Sequence, residues 1–113
     1  MTSTPPFRIM LTMRIHPGRE AEFEQTWLRI GDAVTSHPAN LGQWLIRSED
    51  EPSTYFITSD WVDEAQFREF ETSERHLEHR KALHPLRASG SMATGSVLTH
   101  LTGTASLPVP AAG

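Results

Sequence analysis

SDWVDEAQFREFETSERHLEHRKALHPLR, residues 59–87, starts at the end of a strand, passes a tryptophan and turns helical. Three of the six histidines, His76, His79 and His84, fall in its second half. Asp63 is placed to cap a short helix carrying Phe67 and Phe70, and Ser73 to cap the next, because such side-chain oxygens accept from the free N–H groups of a first turn. At about 100° per residue, Leu77, Leu83, His76, Arg80 and His84 share one side of that second helix. Glu74, Arg75, Glu78 and Lys81 take the other side, and His79 leans toward the rim. Polar groups turned toward a core must be hydrogen-bonded, reached by trapped water, or functional. The face is therefore either a satisfied structural network or a pocket wall that offers a base and a cation.

Upstream, Thr54–Trp61 reads as a strand, and Asn40–Glu49 as another, with Leu45 and Arg47 opposite Trp44 and Ile46. The turn Asp50-Glu51-Pro52-Ser53 joins them as a hairpin. Apolar groups fall on both faces of the pair, as in a sheet covered on both sides. Helices supply one cover, and in so short a chain a partner's sheet supplies the other, which predicts a homodimer. Further back, Phe7, Ile9, Leu11, Met13 and Ile15 alternate with Arg8, Met10, Thr12 and Arg14, giving a strand that His16-Pro17-Gly18 ends. From Arg19 to Thr35 a helix carries the apolar stripe Phe23, Trp27, Ile30 and Val34, which ends before Pro38. Its Trp27 reads as core rather than as a platform for a cofactor. Downstream, Ala88-Ser89-Gly90-Ser91 breaks helicity, and Met92–Leu101 reads as a fourth strand. Residues 1–6 are expected to form a flexible leader and residues 102–113 a flexible tail around a domain spanning 7–101. The order β-α-β-β-α-β predicts an α+β, ferredoxin-like domain, an antiparallel sheet with its helices on one face.

Composition narrows the function. The 113 residues make one domain, and a formal net charge of −4 with no Lys/Arg run argues against nucleic acid or an anionic membrane surface as partner. The absence of cysteine removes disulfides, thiolate metal sites and a thiol nucleophile. No segment has the length of a membrane span and MTSTPPF lacks a signal-peptide core, so a cytoplasmic location is expected. No glycine-rich phosphate loop follows a strand. His76 and His79 stand at i, i+3, yet no third ligand is dictated, so no metal is expected. His16, His37 and His100 lie at element ends, in solvated or turn-capping positions.

The run Pro38-x-Asn40-x-Gly42-x-Trp44, then Asp50-Glu51-Pro52, Trp61-x-Asp63-x-Ala65 and Ser73-x-x-His76 resembles the antibiotic biosynthesis monooxygenase family, over about residues 7–101. Leu83-His84-Pro85-Leu86-Arg87 followed by Gly90-Ser91-Met92 looks like its small members found beside aromatic polyketide pathways. The resemblance implies a dimeric α+β barrel with a pocket between helices and sheet. It implies that Trp61 is the pocket tryptophan, that His76 is the histidine after the helix-starting serine, and that Asn40 belongs to the site. One departure is Phe70, where many members carry a histidine, so that a mechanism needing two facing histidines would use His79 or His84. Related haem-degrading members use a similar asparagine, tryptophan and histidine.

The activity so implied is oxidation of an electron-rich polycyclic phenol or anthrone by dioxygen, with no cofactor or with reduced flavin as a diffusing co-substrate. A base removes a proton, and the resulting anion reduces dioxygen directly. The expected catalytic set is His76 as base, Arg80 as anion stabiliser and Trp61 as aromatic wall. Trp44 is a second wall, Tyr55 a hydrogen-bond donor, and Asn40, Phe70 and His84 complete the substrate-binding residues. Two other classes would need the same walls: a polyketide cyclase that performs only proton transfers, and a non-catalytic protein that binds an aromatic ligand or a partner enzyme.

Overall fold

The structure, a computed structural model, describes residues 4–105. Of the expected leader and tail, residues 1–3 and 106–113 lie outside the described residues. The elements run β1 (Phe7–Ile15), α1 (Glu20–Thr35), β2 (Asn40–Arg47), β3 (Thr54–Trp61), α2 (Glu64–Glu71) and α3 (Glu74–Leu83). A 3₁₀ turn, His84–Leu86, then leads into β4 (Arg87–Ser96). The four strands form one antiparallel sheet in the order β2-β3-β1-β4, so the first strand is central and the last pairs beside it. This is the ferredoxin-like α+β arrangement that the sequence predicts. Among the described residues no helix is long and apolar enough to cross a membrane.

Alternation along β1 and β3 puts Ile9, Ile15, Tyr55, Ile57 and Trp61 on the face beneath the helices, each 3% exposed or less. Burying a side chain of this size contributes about 1.5–3 kcal/mol relative to leaving it in water. The core forms in two clusters. Ile9, Ala39, Trp61, Phe67 and Phe70 gather at one end, and Ile15, Phe23, Tyr55, Ile57 and Leu86 at the other, with Leu11 packed against both. The two short helices start where the sequence places them. Asp63 Oδ1 accepts from Gln66 N at 2.9 Å, and Ser73 Oγ from His76 N at 3.3 Å.

Two strand expectations change. β2 carries a bulge: Asn40 pairs with Trp61 and Gly42 with Asp60, leaving Leu41 as the extra residue, 56% exposed. Gly42 follows with φ of 139°, a conformation that L side chains rarely adopt. Because side chains alternate with a period of two, the extra residue reverses facing. Asn40 points with Trp61 to the helix side, whereas Trp44, opposite Thr58, points to the other face. The fourth strand spans Arg87–Ser96 rather than Met92–Leu101. It pairs along the whole of β1, and Phe7 faces Ser96; beyond that pair Val97 N still donates to the Pro6 carbonyl at 2.9 Å, and there the ladder ends. The ladder thus overrides the poor strand propensity of Ala88-Ser89-Gly90, and Leu98 and Leu101 stay exposed.

Candidate active site

A cavity of about 430 Å³ opens between the helices and the inner face of the sheet, where the two core clusters meet. Ile9, Leu11, Ile57, Ser59 and Trp61 line it from β1 and β3, and Trp27, Ile30 and Val34 from α1. Phe67 and Phe70 close the α2 side. His76, His79, Arg80 and Leu83 form the α3 side, with His84 and Arg87 following in the chain. The volume and the apolar lining with a few convergent polar groups are those of a small-molecule site.

The aromatic end is a chain of rings. Trp61, 1% exposed, lies 4.9 Å from Phe70 between centroids, and Phe70 lies 4.9 Å from His76. Phe67 and His37 support Trp61 from 5.5 and 5.3 Å. His37 also fixes its own turn, its Nδ1 accepting from Ala39 N at 3.1 Å. Below the rings, Trp61 Nε1 donates to Ser59 Oγ at 3.0 Å. Asn40 Nδ2 donates to the same Oγ at 3.2 Å and to the Asp60 carbonyl at 3.3 Å.

The polar end is chemically different. His76 and His79 are partly buried, and the Nδ1 atom of each is buried without a hydrogen-bond partner among the described residues. Burial pushes the His76 pKa down, and the neighbouring charge of Arg80 and the His79 ring push the same way against an opposing pull from Glu71. His79 is lowered by burial and then by Arg75. Both shifts favour the neutral form of the ring, the form that can accept a proton. Arg80 and Arg87 make no ion pair or side-chain hydrogen bond among the described residues. The one lining carboxylate, Glu71, is engaged by Arg68 at 2.8 Å. Arg87 lies across Gly90, where a Cβ would stand only 3.1 Å from its Nη1. A chain of net charge −4 thus presents a cavity whose fixed charge is positive.

Of the candidate residues, Trp61, Phe70, His76, Arg80 and His84 all line this cavity. Asn40 does not; its amide donates to Ser59, which does. Trp44 is excluded from the wall by the bulge. Tyr55 faces the correct side, but it stands six residue steps along β3 from Trp61, about 20 Å at strand rise. Its hydroxyl donates to Glu24, which Arg47 also engages, and the group serves the second core cluster. On α3 the inward row is His76, His79 and Leu83, whereas Leu77 is 44% exposed. This helix has too few apolar residues to fix its own rotation; contact of the His76 ring with Phe70 and of Leu83 with the second cluster does so. Trp27 packs against the second core cluster, as expected, and also lines the cavity. The sequence offers His79 only as an alternative second histidine leaning toward the rim, and it does not single out Ser59 or Arg87 as lining residues. For Ser59 a signal existed, since it stands two residues before Trp61 on a strand and shares its face. Among the described residues no group of three or more His, Cys, Asp or Glu could hold a metal ion.

The family model for antibiotic biosynthesis monooxygenase matches residues 6–82. The chain belongs to this family. Protein SchA of Streptomyces halstedii is 33% identical over 86 residues, which is 75% of this chain and 23% of SchA. The 42.8 kDa protein in the whiE locus of Streptomyces coelicolor is 31% identical over 63% of this chain and 18% of its own length. The chain thus spans less than a quarter of these curated relatives. In fold it is similar to SnoaB, a cofactor-independent oxygenase from Streptomyces nogalater, with a TM-score of 0.78 and 22% identity over 88% of this chain and 99% of that one. It is similar also to PA3566 from Pseudomonas aeruginosa, with a TM-score of 0.75 and 14% identity over 88% of this chain and 100% of that one. Within the family fold, this antibiotic biosynthesis monooxygenase domain has its cavity between helices and sheet, as the resemblance implies.

Proposed function

We propose that this family member is an oxygenase for an electron-rich polycyclic aromatic of the polyketide type, working in secondary-metabolite biosynthesis without a bound cofactor. The observation that carries the reading is the pairing of two cavity-lining imidazoles, shifted toward their neutral form and unpaired at Nδ1, with an aromatic-walled cavity of positive fixed charge. His76 takes a proton from a phenol or anthrone, and the anion is held by Arg80 and the cavity field. The anion gives its electrons to dioxygen, so that a carbon–oxygen bond forms and a peroxide results. Loss of water then converts the anthrone CH₂ to C=O, with one oxygen atom kept in the product and the other released as water. The description of SnoaB as a cofactor-independent oxygenase supports this reading.

Oxygen uptake with product mass tests it, using purified protein, a tricyclic anthrone and no added cofactor. The expected result is one O₂ consumed per product that gains one oxygen and loses two hydrogens. Uptake only after addition of reduced flavin would assign the flavin-fed variant. No uptake under either condition would overturn the oxygenase reading in favour of proton-transfer cyclisation or simple binding.

The functional unit in this proposal is a homodimer built on the outer face of the sheet. There Met10, Trp44, Ile46 and Phe56 are 38%, 42%, 43% and 40% exposed. Register sets them side by side, Trp44 and Met10 on either side of Thr58, and Ile46 opposite Phe56. A contiguous apolar patch of this kind marks an association surface. Ile46→Glu introduces a charge into this patch and is expected to convert the dimer to monomer in sedimentation analysis. A monomeric wild type at micromolar concentration would refute the assignment.

A further inference from the structure

The valence of one hydroxyl leads beyond the base and the cation. Ser59 is 9% exposed and lines the cavity. A serine oxygen has two acceptor lone pairs and one proton to donate. Both lone pairs are taken. The indole Nε1 of Trp61 can only donate, and it does so to Ser59 Oγ at 3.0 Å. The second donor is the amide of Asn40, whose orientation follows from its neighbours. The Asp60 carbonyl, 3.3 Å from the same amide atom, can only accept, so that atom is nitrogen, and it also lies 3.2 Å from Ser59 Oγ. The Ser59 proton has no acceptor among the described residues. Tetrahedral geometry turns it away from both N–H groups, toward the cavity.

We propose that Ser59 is a hydrogen-bond donor to an anionic oxygen of the bound aromatic, with Trp61 and Asn40 as positioning residues that hold its proton in that direction. The ligand class is an ionised phenol or the enolate of an anthrone, and the inference rests on the reading of the cavity as a site for such aromatics. Two N–H donors to one oxygen withdraw electron density from it and sharpen its O–H as a donor. The donor is fixed before any ligand arrives, as electrostatic stabilisation of developing charge requires. The bulge at Leu41 has a role here, since it turns Asn40 to the helix side within reach of Ser59. The positive charges of Arg80 and Arg87 act on the same anion from α3 and β4, and Ser59 from the floor.

The test is spectroscopic and independent of turnover. Alizarin, a dihydroxyanthraquinone whose colour reports its ionisation, is titrated in complex with the wild type and with Ser59→Ala, Ser59→Cys and Ser59→Thr. The wild type is expected to lower the phenol pKa of the bound dye. Ser59→Ala, and Ser59→Cys with its weak S–H donor, should each reverse that by about tenfold or more in ionisation constant. Ser59→Thr keeps the hydroxyl and should retain the shift. The cysteine variant preserves shape if alanine leaves Trp61 and Asn40 unpaired and fails to fold. Equal dye pKa values in the wild type and in folded Ser59→Cys would overturn the assignment alone. Failure of the wild type to bind the dye at all would instead remove the aromatic-pocket reading, and this inference with it.

Discussion

His76→Ala is expected to lower kcat/KM toward an anthrone by about 10²–10⁴-fold, the range that a positioned general base contributes. The fold should survive, because the imidazole is only partly buried and its Nδ1 makes no bond whose loss would cost stability. The acid limb of the rate profile identifies the group. The ring must be neutral to act, and burial holds its pKa below the ordinary imidazole value of 6.5, so activity should be flat through neutrality and fall only below that value. Stability follows the same sign. The unfolded chain takes up a proton near 6.5 while the folded ring still resists, so the unfolded state binds more protons and stability declines as pH drops below 6.5. It levels off below the folded pKa, where both states are protonated. Chemical denaturation of wild type and His76→Ala across this window should show a shallower acid decline in the variant, with part remaining because His79 is shifted the same way. If His76→Ala kept full turnover while His79→Ala lost it, the base would be His79.

Trp61→Ala should destabilise the domain by about 3–5 kcal/mol, the cost of removing a fully buried large aromatic. Total stabilities of about 5–15 kcal/mol are usual for domains, so this one change removes a large share. The cost is concentrated because Trp61 touches Phe67, Phe70 and His37 together, and through Phe70 sets the His76 ring. Trp61→Phe keeps a ring but drops the N–H that Ser59 accepts. It should fold, bind aromatics and show a weakened effect on bound-phenol ionisation. Urea unfolding followed by circular dichroism measures the first effect. A loss below about 1 kcal/mol, the level of an ordinary surface change, would show that the cluster repacks without the indole.

The elements that were legible in the sequence are those fixed by local chemistry. Asp63 and Ser73 cap their helices because only their own side chains and the next turn are involved. The inward row of β1 follows from simple alternation, whereas the candidate residues Trp61, Phe70 and His76 were marked by the family resemblance. What was hidden depends on distant partners. Trp44 and Asn40 have the same parity, and only the bulge against β3 sends them to opposite faces. The length of β4 is set by β1 rather than by its own small residues. The rotation of α3 is decided by Phe70 and the second cluster, which is why Leu77 and His79 exchange places. Tyr55 shows that sharing a face with Trp61 does not mean sharing a site.

The central position of β1 has a consequence for how the protein is made. Within this domain β1 is synthesised before the strands it pairs with, and it acquires one neighbour from residues 54–61 and the other only from residues 87–96. At synthesis rates of about 5–20 residues per second, the nascent strand waits on the order of 5–20 s before its second edge can close. During that interval Ile9, Leu11 and Met13 sit beside an open hydrogen-bonding edge, and non-local pairing of this kind is slow to form. A transcript cut short before Gly90 would therefore release a chain with its most apolar strand unpaired on one side, a template for aggregation rather than a partial enzyme.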